Sequence, residues 1–153
     1  MNRKLQLRKF GDFRYDKGVV SVANTKRYVY FITVEKPIWY PNRKSRVVYI
    51  GKTASTANEA FSALGWMIVW AIPERMKRIM TGNTASIHLI GVREKMKPVE
   101  LESAFIFAFR ALCSEIPKGN THGRRYTEQR VKTVKDKYGI TLDALMEVLK
   151  SLE

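Results

Sequence analysis

Residues 28–35, YVYFITVE, are β-branched and aromatic and predict a strand, with Tyr28, Tyr30, Ile32 and Val34 on one parity and Val29, Phe31 and Thr33 on the other. A second strand is predicted over 46–51, RVVYIG, and a third over 86–92, SIHLIGV. The stretch between the first two, KPIWYPNRKSR (36–46), holds two prolines and reads as a long loop across which they pair as a hairpin. Apolar positions then change to helical spacing. One helix is expected over 56–72, dominated by Phe61, Leu64, Trp66, Met67, Ile68 and Trp70. Another, PERMKRIM (73–80), opens on proline and stops at Thr81-Gly82-Asn83. Pro98 starts a helix of about 98–116 that is apolar almost all round, which suits a central position. Pro117-Lys118-Gly119-Asn120 ends it. A basic helix over 126–138 and a short amphipathic helix over 141–152 follow.

The order β-β-α-α-β-α-α-α starts with neighbouring strands and lacks a regular βαβ alternation. It predicts an α+β fold, a small three-stranded antiparallel sheet flanked by helices. At 153 residues one compact unit is expected. Within it, 1–27 is a basic lead-in, 28–122 the core and 123–153 a basic helical extension packed on that core.

Composition narrows the function. Apolar residues make up 45% and charged residues 27%, which excludes a disordered chain or a fibrous repeat. Lys and Arg number 28 against 14 Asp and Glu, a net charge of +14 that points to a polyanionic partner, nucleic acid first. A single cysteine, Cys113, permits no internal disulfide and fits a reducing, cytoplasmic setting. One Cys with His88 and His122 is too few for a zinc cluster. The longest apolar run, Ala63 to Ile72, is ten residues, against roughly twenty for a membrane span, so no membrane partner is expected.

Gly51-Lys52-Thr53 invites comparison with a phosphate-binding loop. That loop needs a glycine five residues before the Gly-Lys pair; position 46 is Arg, and the strand runs straight into Gly51. The same residues carry more meaning beside the first strand. Tyr28-Val29-Tyr30 and Tyr49-Ile50-Gly51 resemble the paired signature of the GIY-YIG nuclease superfamily. Arg75, Glu102 and Asn120 follow in that family's order. Tyr28 stands where the family usually has Gly, and the two halves lie further apart than in a typical member.

The resemblance implies a Mg²⁺-dependent (or Mn²⁺-dependent) endonuclease acting on DNA. In it Tyr49 or Tyr30 positions and deprotonates the attacking water, with Lys52 assisting, Arg75 stabilises the charged phosphorane and Glu102 holds the metal. The residue types suit these roles. A phenol, with an ordinary pKa near 10, becomes a base or relay beside a cation. Arginine is a permanently charged, forked donor for phosphate oxygens, and Arg78, one turn on, competes with Arg75. Glu100 falls at the third helical position, where the helix dipole explains it fully. Glu102 lies past the first turn of an apolar helix, and a carboxylate there needs a cation or strong hydrogen bonds. Without the motif, Tyr30 and Tyr49 read better as ordinary cross-strand aromatics.

A DNA path is expected along two basic segments. The 36–46 stretch mixes Trp39 and Tyr40 with Lys36, Arg43, Lys44 and Arg46 and has no acid. Residues 118–137 hold seven basic and two acidic side chains, among them Arg124, Arg125, Arg130 and Lys132. Asn120 and Arg78 are grouped with this surface, although turn chemistry alone also explains Asn120. One centre nicks one strand, so double-strand cutting calls for a homo-oligomer or a second event. The alternative reading is a non-catalytic nucleic-acid-binding protein of GIY-YIG-like fold.

Overall fold

The computed structural model describes residues 5–14, 28–53, 79, 81–92, 95–120 and 126–153. Four strands, β1 (Leu7–Arg14), β2 (Tyr28–Trp39), β3 (Lys44–Thr53) and β4 (Thr84–Gly91), form one antiparallel sheet in the order β1-β4-β2-β3. Three helices follow: α1 (Pro98–Cys113), α2 (Glu128–Tyr138) and α3 (Leu142–Ser151). The expected α+β class, antiparallel sheet and flanking helices are present, and β1 adds a fourth strand at one edge. Among the described residues, no helix is long and apolar enough to cross a membrane.

The hairpin between β2 and β3 corrects the long loop expected at 36–46: both strands extend into that stretch, and only residues 40–43 turn. Pro37 is tolerated because the β2–β4 ladder has ended at Val34↔Ala85, and the β2–β3 register is interrupted between Thr33↔Val47 and Ile38↔Ser45. No ladder hydrogen bond is lost there. Arg46 bridges the interruption by donating its guanidinium to the Glu35 carbonyl.

The lead-in is likewise more ordered than its composition implied, since Leu7–Arg14 pairs along β4. Its register shifts between Lys9↔His88 and Gly11↔Ile87, which leaves Phe10 as an extra, bulged residue. The helices expected over 56–72 and 73–80 lie outside the described residues apart from Ile79. The stop that follows them is in place: Gly82 takes a φ of 73°, and the Asn83 amide donates to the Ile79 carbonyl at 3.3 Å.

Strand β2 is buried on both faces between Tyr28 and Val34. Val29, Phe31, Val47, Ile50 and Ile90 share a core with Leu101, Ala104, Phe105, Ala108 and Phe109 of α1. Phe31 meets Phe105 edge-on at 5.0 Å. Val131 and Val134 of α2 and Leu145, Val148 and Leu149 of α3 belong to the same core. Tyr28, Tyr30, Ile32, Val34, Ala85, Ile87 and Leu89, of the opposite parity, are buried as well. A strand buried on both faces reads as a continuous apolar run, as β2 does. The nearly all-round apolarity of α1 has the same cause.

Helix ends account for the boundaries. Pro98 is at the first position of α1, and Lys97 O accepts from the N–H of Glu100 at 3.0 Å. The helix closes at Cys113, three residues short of the expected end, because Ser114 turns into the left-handed region (φ 61°) and donates back to Arg110 O. α2 ends the same way on Gly139 at φ 68°.

Candidate active site

Tyr30 and Tyr49 come from adjacent strands and share the sheet face opposite to Phe31. Their rings stack 5.8 Å apart at 25°, and their hydroxyls are hydrogen-bonded with Tyr30 as the donor. Tyr28 meets the other side of the cluster edge-on, 6.1 Å from Tyr30. The aromatic at position 28 is therefore packing in the place where the resembled family has glycine.

Gly51 makes this stack fit. It is the cross-strand partner of Tyr30, and a Cβ added to it would lie under 3.0 Å from Tyr30 Cζ, Oη and Cε2. The glycine of Tyr49-Ile50-Gly51 is required by the tyrosine ring above it, a contact between the two halves of the signature.

Glu102 brings the carboxylate. Burial pushes its pKa up to about 7, and the nearby Lys52 ammonium pulls it the other way. Its charge acts on both phenols, whereas Lys52 pairs with Val29 and so extends from the sheet face opposite to that of Tyr30 and Tyr49. Burial, then Tyr49 and Glu102, holds the Tyr30 pKa well above 10. Burial and Glu102 also raise Tyr49, but the hydrogen bond it accepts from Tyr30 works in the opposite direction. Of the two phenols, Tyr49 is thus the easier to deprotonate.

Tyr126, just before α2, is a further phenol within reach. Its pKa is raised by burial and by Glu102, and it acts on Tyr49 in turn. Its backbone carbonyl is held by the Arg110 guanidinium at 2.6 Å. No sequence signal marked it, because the fold alone carries the start of α2 back to α1.

Asn120 stands behind the site. Its Oδ1 accepts from Ile50 N–H at 3.0 Å and its Nδ2 donates to Ile50 O at 2.8 Å. Gly119 N–H donates to Val48 O at 2.8 Å. The segment thus works as a short substitute strand along the open edge of β3. Farther along that edge, the Glu153 carboxylate accepts from Ser45 Oγ at 2.6 Å and from Arg46 N–H at 3.1 Å. The Asn120 amide braces the backbone between Tyr49 and Gly51.

The other expected residues lie elsewhere. Trp39, Arg43 and Lys44 are at the hairpin end, with Lys44 Nζ 5.0 Å from the Trp39 ring centre. Arg46 is engaged with Glu35, and Arg130 and Lys132 are on α2. Arg75, Arg78, Arg124, Arg125 and His122 lie outside the described residues. Glu100 serves the fold. Tyr138 Oη and Lys137 Nζ donate to its carboxylate at 2.7 and 3.0 Å, tying α1 to the end of α2. Burial raises its pKa, but these bonds and the Lys137 charge outweigh that and leave it lowered.

Among the described residues, no three His, Cys, Asp or Glu side chains gather. A single half-buried carboxylate fits a small hard cation that keeps most of its waters, rather than an ion caged by protein ligands. No protein-family model matches the chain, and no curated protein or solved structure matches it either.

Proposed function

We propose that the chain is a Mg²⁺-dependent, GIY-YIG-type endonuclease that hydrolyses DNA phosphodiester bonds. The supporting observation is the hydrogen-bonded Tyr30–Tyr49 pair, seated on Gly51 and within electrostatic reach of the half-buried Glu102 carboxylate.

Glu102 would hold the divalent ion, which when bound would supply positive charge that lowers the pKa of neighbouring phenols and stabilises charge on the scissile phosphate. Tyr49 takes the proton of the attacking water, and the hydrogen bond from Tyr30 stabilises its phenolate. Lys52 offsets negative charge as water oxygen bonds to phosphorus; the P–O bond to the leaving nucleoside oxygen then breaks, and that oxygen takes a proton from solvent. Arg75 supplies the forked donor for the phosphate oxygens. Asn120 keeps Tyr49 and Gly51 in register. The net charge of +14 and the basic hairpin end hold DNA without choosing sequence.

The test is incubation of supercoiled plasmid with the pure protein, with Mg²⁺ and with Mg²⁺ plus chelator. Nicking that the chelator stops supports the enzyme. Gel retardation without breakage replaces it by the non-catalytic binding protein.

A further inference from the structure

We infer that Trp39 is a stacking platform for an unpaired nucleobase, so that the preferred substrate is DNA with a single-stranded segment rather than continuous duplex. The inference rests on the DNA-cleaving reading and adds the substrate's form to it.

Trp39 is 70% exposed and is the exposed large hydrophobic side chain among the described residues. An indole left open to water costs solvation, and this one sits where its neighbours are fixed. It closes the β2–β3 hairpin as the cross-strand partner of Lys44. The next residue, Tyr40, is buried: its hydroxyl donates to Val47 O at 2.8 Å and accepts from Lys118 N–H at 3.1 Å. Its ring meets Phe109 edge-on at 4.9 Å. Asn42 Nδ2 donates to Leu112 O at 2.8 Å, which fastens the turn to the last turn of α1. The indole is presented on a rigid support, so little ordering is needed on binding.

The surrounding chemistry selects the partner. Lys44 Nζ lies 5.0 Å from the indole centre, Arg43 precedes that lysine in the turn, and Lys36 is on the same strand as Trp39. Arg46 is engaged with the Glu35 carbonyl, and the Glu153 carboxylate is bound one residue beyond Lys44, at Ser45. An aromatic face inside a cationic surface is the arrangement that single-stranded nucleic acid takes, with bases on the ring and phosphates on the cations. A base within continuous duplex has both faces covered by its neighbours, so only an unpaired or terminal base can lie on Trp39. Leu112, which holds the turn, is ten residues along α1 from Glu102, roughly 15 Å at the helical rise.

Binding is measured in chelator, by fluorescence anisotropy, on a labelled single strand, a splayed fork and a blunt duplex of equal length. The wild type is expected to bind strand and fork more tightly than duplex. Trp39→Ala is expected to weaken strand and fork by about 5- to 100-fold and duplex by less than about 2-fold, with Trp39→Phe recovering most of the loss. Equal weakening on all three, or no weakening, overturns the inference, as does a wild type that binds duplex best or binds none of them. Because no cutting is read, failure here leaves the nuclease reading to its own plasmid test, and failure of nicking with these binding results intact reduces Trp39 to the base platform of a non-catalytic binding protein.

Discussion

Gly51 lies beneath the Tyr30 ring, with no room for a Cβ between them. This contact links the two strands that carry the candidate phenols. Gly51→Ala must move the ring off its stack with Tyr49. The expected outcome is a loss of about 1–3 kcal/mol in urea unfolding, from overpacking, and loss of nicking. DNA retardation should remain, because the basic hairpin end is untouched.

Asn120 is expected to matter through the backbone it holds. Asn120→Ala leaves the Ile50 N–H and C=O without their partners and is expected to cost about 2–4 kcal/mol. Asn120→Asp keeps an acceptor for Ile50 N–H but sets a carboxylate against Ile50 O, so at neutral pH it should rescue little. Thermal melting of the three proteins reads the difference. A melting temperature for Asn120→Ala equal to the wild type would show that the brace contributes nothing.

The Glu102 carboxyl gives a pH signature. Its folded pKa is raised from 4.5 to about 7 by burial. The folded state therefore binds the extra proton, and this group's stabilisation is complete below the unfolded pKa. It declines as pH rises toward 7 and is constant above. Glu102→Gln removes the dependence. The variant should gain on the wild type between pH 4.5 and 7, reaching roughly 1–2 kcal/mol after allowance for solvent screening. At pH 8, Mg²⁺ should raise the melting temperature of the wild type and leave Glu102→Gln unmoved. Equal Mg²⁺ responses would remove Glu102 from the metal site.

Ser114 closes α1 at a φ of 61°, where a Cβ is strained. Ser114→Gly keeps the hydrogen bond to Arg110 O and relieves that strain. It is expected to stabilise the fold by about 0.5–1 kcal/mol in denaturant unfolding. The converse change at α2, Gly139→Ala at φ 68°, is expected to destabilise by a similar amount.

Most elements were legible because burial imposes a period. β2 and α1 are packed on both sides, so their apolar runs stood out, and proline marked the start of α1. The hairpin was harder to read. Pro37 and Pro41 look like loop sequence, yet β2 continues past Pro37 where it has no ladder bond to lose. β1 was hidden because the bulge at Phe10 breaks its two-residue alternation. The stacking of Tyr30 on Tyr49 was legible from adjacent strands and shared parity. The fit of Gly51 under Tyr30, the grip of Asn120 on Ile50 and the approach of Tyr126 depend on tertiary contact and leave no local pattern.

The most direct measurement is the initial rate of plasmid nicking in Mg²⁺ by the wild type, Glu102→Gln and Tyr49→Phe, each first shown to melt as a folded protein and to retard DNA. The account predicts that the wild type nicks and that each variant is slower by about 100-fold or more. Rates for Glu102→Gln and Tyr49→Phe within twofold of the wild type would contradict it.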